Sequence, residues 1–251
     1  MLVLSVFPGI DLLGRAFEEM GFCVVRGPDK IFGGDIRDFN PPAGVFDGVI
    51  GGSPCQDFST ARRTPPTGYG LEMLEEYKRV IDQAKPTWWL LENVRSVPDV
   101  KIPGYSWQRV DLKASDCGSE QQRLRHFQFG DRDGALINPL RKITKKVMHR
   151  AALATEGSRA DRRGWSNFCR LQGLPDDFDL PGFTRRGKYK AVGNGVPLEM
   201  GRVIAQAVID RSMPADGAAR CVCGCGRVVN GRAKHATVAC RKRMQIRRER
   251  E

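Results

Sequence analysis

A chain of 251 residues, 41% hydrophobic and 28% charged with a net charge of +12, has the composition of a folded globular protein with excess positive charge. It has room for one large domain, or for a domain of about 200 residues with a small appendage. No stretch approaches the ~20 apolar residues of a membrane span, and the start MLVLSVFPGID lacks the marks of a signal peptide, so a reduced, cytoplasmic setting is expected.

In chain order, the apolar run LVLSVF at 2–7 predicts a first strand that stops at Pro8 and Gly9. A helix follows, with Leu12, Leu13, Ala16, Phe17 and Met20 on one face and Gly21 closing it. FCVV and GVIGG read as strands ended by Gly/Pro turn chemistry. LEMLEEYKRVIDQAK predicts an amphipathic helix, with Leu71, Leu74, Tyr77 and Ile81 inward and a Glu75–Arg79 pair outward. TWWLLENV is an apolar strand that runs into Glu92 and Asn93. Alternating strands and helices predict βαβ units and a doubly wound, mainly parallel α/β sheet, whose ligands sit at the carboxyl ends of the strands. The turns after Phe7, Ile50 and Leu91 all fall at such ends. Cys55, in GGSPCQDFS, therefore lies where such a sheet builds its site.

Between residues 132 and 163 the periodicity gives way to basic, loop-like sequence. Order returns at WSNFCRLQGLPDDF and AVGNGVPLEMGRVIAQAVID, where Pro197 opens a helix that buries Val203, Ile204, Ala207 and Val208. RSMPADGAAR reads as a linker. The positive charge is concentrated. Residues 132–163 hold nine Lys/Arg against three acids, and 211–251 hold eleven against three, beside a nearly neutral remainder. Two basic segments on a neutral body predict a polyanion surface, with nucleic acid the best fit.

Four of the eight cysteines, with His235, crowd residues 221–240. In a reduced compartment such a cluster reads as a zinc site. Cys221, Cys223, Cys225 and Cys240 make one tetrahedral set, and a set with His235 in place of one of them is the alternative. A helix after Cys240 would lay Arg241, Lys242, Arg243, Arg247 and Arg248 against a DNA backbone. Of the other cysteines, Cys23 and Cys169 are expected in the core. His126 and His149 are expected to be structural or solvated.

The ordered pieces resemble the DNA cytosine-5 methyltransferase family over roughly residues 1–210, through seven motifs: SVFPGID, GGDI, GGSPCQDFS, LLENV, EQQRLRHF, RLQGLPDDF and GNGVP. The resemblance implies a doubly wound, Rossmann-like fold for S-adenosylmethionine, with a reduced target-recognition region; the small zinc module would follow it. It implies that Cys55 adds to C6 of a flipped cytosine, that Glu92 holds the base, and that Arg123 and Arg125 place positive charge beside it. Phe7, Gly9, Asp35, Ile36, Pro54, Asn194 and Val196 would line the cofactor site. Gln56, Ser59 and Gln121 would face nucleic acid, together with the basic residues Lys145, Lys146, Arg241 and Arg243. The second strand, CVVRGPDK, lacks the family's ribose-binding acid, and nearby Asp29 is the substitute. Only residues 131–164 stand where the family carries a sizeable recognition domain. Their Arg141, Lys142, Lys145, Lys146 and Arg150 suit phosphate, which gives affinity without sequence reading.

The expected layout is a catalytic part at 1–131, a short basic recognition region at 132–164, the rest of the catalytic domain at 165–212, a linker at 213–220 and a zinc-binding tail at 221–251. The expected protein is a monomeric bacterial or phage enzyme acting on double-stranded DNA, of the kind found in restriction-modification. An RNA cytosine-5 methyltransferase acting on tRNA and a DNA-binding regulator or decoy are the rivals.

Overall fold

A computed structural model describes residues 1–59, 62, 64–142, 149–213, 219–223, 228–229, 233–235 and 238–248. The first strand, β1 (Leu2–Val6), leads through α1 (Leu12–Glu19) to β2 (Cys23–Arg26), which pairs with β1 in parallel. The chain then crosses β1, and β3 (Gly48–Gly51) pairs with its other edge, also in parallel. This reversal of strand order leaves a crevice at the carboxyl ends of β1 and β3. Helix α2 (Tyr69–Ala84) returns the chain to β4 (Trp88–Asn93), parallel to β3.

β5 (Ser106–Lys113), β6 (Gln121–Gln122) and β7 (Leu124–Asp131) follow. β7 runs antiparallel between β4 and β5, so the sheet order is β2-β1-β3-β4-β7-β5. The expected doubly wound sheet is present, with one strand reversed. β8 (His149–Arg150) pairs with β6; α3 (Trp165–Leu171), α4 (Arg185–Asn194) and α5 (Leu198–Ile209) follow. β9 (Ala219–Arg220), β10 (Val228–Val229) and α6 (Val238–Arg248) complete the described elements.

Period-two side chains divide the core. Val3, Ile50, Trp88 and Leu90 face α1 and α5, where Leu13, Phe17, Met200, Ile204 and Val208 cover them. Leu4, Val6, Val49, Trp89 and Leu91 face Met73, Tyr77, Val80 and Ile81 of α2. Both tryptophans need glycine beside them. A Cβ on Gly48 would lie 2.2 Å from the Trp88 ring, and one on Gly130 would lie 2.2 Å from that of Trp89. A third cluster joins Leu12 and Ala16 to Phe168, Cys169, Tyr189, Val192 and Leu198, fastening α3 and α4 beside α1.

Three local expectations need correction. Leu71 is exposed, because the buried arc of α2 is centred on Gly70, Met73, Tyr77, Val80 and Ile81, and Leu71 lies one residue off it. Glu75 pairs with Lys78, while Arg79 pairs with Glu76 and donates to the carbonyls of Ile36 and Phe39, so a Glu75–Arg79 pair is not formed. Cys23 is exposed because β2 is an edge strand, whereas Cys169 is buried. Among the described residues no helix is long and apolar enough to cross a membrane.

Candidate active site

Three strand ends converge on one cleft of about 510 Å³, a volume suited to a small-molecule cofactor. Its first wall is the loop after β1, where Phe7, Gly9 and Asp11 all have φ near +55°. That conformation suits Gly9 but strains Phe7 and Asp11, so other contacts must hold it. Asp11 supplies them. Its buried Oδ1 accepts from the Gly14 N–H at 3.0 Å and from Ser5 Oγ at 2.8 Å, and Arg26 Nε lies 3.0 Å from Oδ2. Burial raises the Asp11 pKa; the Ser5 and Gly14 hydrogen bonds and Arg26 oppose this. Asp11 therefore caps α1.

Asp29 anchors the same loop. Its Oδ2 accepts from the Gly9 N–H at 2.8 Å and its Oδ1 from the Ile31 N–H at 2.8 Å. Asp35 lies further along the cleft, and its hydrogen bonds from Arg37 hold the carboxyl down to about 2.

The opposite wall carries Cys55 at the head of a short 3-10 turn, Gln56–Phe58. Two side chains pin this loop. Asn93 Nδ2, at the end of β4, donates to the Ser53 carbonyl at 3.1 Å and to Ser53 Oγ at 3.0 Å. Asp57 accepts from the N–H groups of Thr67 (3.0 Å) and Gly70 (2.9 Å), binding the loop to the start of α2. Gly52 keeps the loop close to its neighbour, since a Cβ there would lie 3.2 Å from Glu92 Oε2.

Glu92 is buried, and its Oε1 lies 2.8 Å from Arg125 Nε. The antiparallel register sets Glu92 opposite Phe127, which puts Arg125, two residues away on β7, on the same face. Burial pushes the Glu92 pKa up, while Arg125 and Arg123 pull it down. Burial also raises the Cys55 thiol, the Glu92 carboxylate raises it further, and the two arginines oppose both.

All eight residues expected around the cofactor line this cleft: Phe7, Gly9, Asp29, Asp35, Ile36, Pro54, Asn194 and Val196. Cys55, Gln56, Glu92 and Arg125 line it too. Ser59, Gln121 and Arg123 do not. Arg123 is buried and donates to the carbonyls of Ala152 (2.6 Å), Gly193 (2.9 Å) and Gly195 (3.1 Å). Desolvation pulls its pKa down to about 9, so it stays cationic at neutral pH. Gln121 is fully buried, which corrects the expectation that it faces nucleic acid. Its Nε2 donates to the Leu171 carbonyl and Gln172 Oε1, and its Oε1 accepts from the Ala152 N–H at 3.1 Å. Both residues are framework, joining β6 and β7 to α3 and α4.

Arg241 is exposed on α6. Lys145, Lys146, Cys225 and the Arg243 side chain lie outside the described residues. The basic segment at 132–163 is partly self-neutralised. Arg141 pairs with Asp116, Arg150 and Arg159 pair with Asp161, and Arg163 grips the buried Glu156. The exposed pairs are weak enough for a phosphate to compete, but Arg163 is structural. His126 is buried, with Nδ1 2.8 Å from Asp111 Oδ1, as a structural histidine would be. Sequence reasoning missed Asp57 and Asn93 as anchors of the Cys55 loop. Their positions beside Cys55 and Glu92 were the available signal. It also missed Lys190, which lines the cleft from α4.

Fold and cleft together define a doubly wound α/β protein of the methyltransferase type, with a thiol and a buried carboxyl at adjacent strand ends. Residues 27–161 match the family of C-5 cytosine-specific DNA methylases, and the chain belongs to that family. It is 34% identical over 100 residues to the type II methyltransferase M.HgiDI of Herpetosiphon aurantiacus, covering 36% of this chain and 32% of that one. It is 27% identical over 177 residues to M.AgeI of Thalassovita gelatinovora, covering 55% and 41%. The matches thus span a third to two fifths of these relatives' lengths. The Entamoeba histolytica methyltransferase EhMeth shares the fold at a TM-score of 0.63 and 10% identity, over 84% of this chain and 98% of that one. A Spodoptera frugiperda DNMT2 mutant does so at 0.55 and 13%, over 83% and 99%.

Proposed function

We propose that this protein transfers a methyl group from S-adenosylmethionine to C5 of cytosine in double-stranded DNA, with Cys55 as the nucleophile. The observation that carries this reading is the placement of Cys55 and the Arg125-paired Glu92 on one cleft, with the loop at Phe7–Gly9 forming its other wall. The match to C-5 cytosine-specific DNA methylases supports DNA as the substrate, and the relatives are type II methyltransferases.

Cytosine C5 is a poor nucleophile, so the ring must first be activated. The Cys55 thiolate adds its electron pair to C6, while Glu92 donates a proton or hydrogen bond to N3 and takes up the charge that develops there. C5 thereby gains enamine character. Phe7, Gly9, Asp29, Asp35, Ile36, Pro54, Asn194 and Val196 would hold S-adenosylmethionine, whose sulfonium would give its methyl group to C5 as the S–CH3 bond breaks and S-adenosylhomocysteine leaves. Removal of the C5 proton by a base then expels the thiolate and restores the aromatic ring. A duplex hides C6, so the base must leave the stack.

The pair also regulates its own protonation. An ionised Glu92 raises the Cys55 pKa. A neutral Glu92, which can donate to N3, removes that charge and favours the thiolate. The working state carries one negative charge on the pair, with Cys55 as the thiolate and Glu92 protonated.

The test uses labelled S-adenosylmethionine with duplex DNA or tRNA, and Cys55→Ser beside the unaltered protein. Label in DNA that is lost in Cys55→Ser supports the reading. Label in tRNA alone moves the chain to RNA, and no label with DNA binding retained favours a regulator. DNA containing 5-fluorocytosine should trap a covalent adduct, because the proton needed for elimination is missing.

A further inference from the structure

Beyond the cleft, the described residues bring Cys221, Cys223 and Cys240 together in the C-terminal segment. All three thiols are buried, and their Sγ atoms lie within 4.8 Å of one another, with Cys221 and Cys223 3.4 Å apart. A tetrahedral zinc ion with Zn–S bonds of about 2.3 Å sets its sulfurs roughly 3.8 Å apart, so the trio has the dimensions of such a face. Among the described residues no histidine or carboxylate joins the trio at that distance.

The packing around the thiols is too thin to explain their burial. β9 and β10 form a two-residue ladder, the Val222 N–H donates to the Lys234 carbonyl at 3.0 Å, and Cys240 sits in the first turn of α6. Among the described residues the buried core here consists of the three cysteines and Val229, with Met244 half-buried against them. The apolar surface buried among the described residues, one valine and three thiols, is too small to offset the ordering of a hairpin and an 11-residue helix. A metal ion can, because its binding energy becomes folding energy where the site does not exist in the unfolded chain. The helix N-terminus beside Cys240 further favours a thiolate.

We propose that Cys221, Cys223 and Cys240 bind one structural zinc ion, which holds the β9–β10 hairpin to α6. Each thiol gives up its proton on binding and becomes a thiolate ligand. Cys225, the expected fourth ligand, lies outside the described residues. This site does not depend on the proposed methyl transfer, and its test does not read methylation.

The full chain is equilibrated with zinc, freed of loose metal by gel filtration and analysed for bound metal. One zinc per chain is expected, falling at least five-fold in Cys221→Ser, Cys223→Ser and Cys240→Ser and unchanged in Cys23→Ser, whose thiol is exposed on β2. Because a cysteine variant can fail to fold, unaltered protein is also refilled with cobalt(II). Tetrahedral d–d bands with intense thiolate-to-cobalt charge transfer support the site. Absence of bound zinc, full retention by Cys240→Ser, or an octahedral cobalt spectrum would overturn it.

Discussion

Arg125 Nε lies 2.8 Å from Glu92 Oε1 across adjacent antiparallel strands, and both charges act on the Cys55 thiol in opposite senses. Glu92→Gln removes the charge that raises the thiol, so Cys55 should ionise at lower pH. Arg125→Met removes one that lowers it, so Cys55 should ionise at higher pH. Iodoacetamide alkylation of Cys55 followed against pH by mass spectrometry measures both. Shifts in the same direction would contradict the three-way coupling.

Loss of Glu92 should act on chemistry rather than on cofactor binding. Glu92→Gln is expected to lower kcat on duplex DNA by about 10²–10⁴-fold, the usual contribution of a positioned acid. Its affinity for S-adenosylmethionine should stay within a few-fold of the unaltered protein. Single-turnover kinetics and calorimetric titration separate the two.

Arg123 and Arg125 belong to one motif but have different tasks. Arg123→Ala leaves buried carbonyls at Ala152 and Gly193 without their donor, and should cost roughly 2–4 kcal/mol. Arg125→Ala opens towards the cleft and should cost less stability while reducing turnover more. Denaturant unfolding of both variants gives the comparison.

The glycine in the GNGVP loop is set by packing, not by backbone freedom. Gly195 has φ −66°, but a Cβ there would lie 2.6 Å from Leu12 Cδ1. Gly195→Ala should therefore destabilise by about 1–3 kcal/mol. Because Gly195 lines the cleft, the Kd for S-adenosylmethionine should rise as well.

The exposed basic residues of α6 should contribute affinity without sequence preference. If Arg241 and Lys242 each meet one phosphate, the double alanine variant should lower the slope of log K against log salt by about 2. Titrations of duplex DNA at several salt concentrations read it directly.

Much of the fold was determined by the sequence alone, because strand and helix periods are local. The runs at 2–7, 48–52 and 87–94 predicted the strands whose carboxyl ends bound the cleft, and Cys55, Glu92 and Phe7 were placed there by position. Tertiary structure decided what local pattern cannot carry. Arg123, Arg125 and Gln121 share one motif, yet only Arg125 reaches the cleft, since the turn between β6 and β7 and their contacts with α3 and α4 determine which side chains are enclosed. Asp11 and Asp29 look alike in sequence as loop acids. Asp11 caps α1 through a contact to Gly14 only three residues away, whereas Asp29 holds Gly9 only in the fold, because the parallel pairing of β1 and β2 sets the loops at their carboxyl ends side by side.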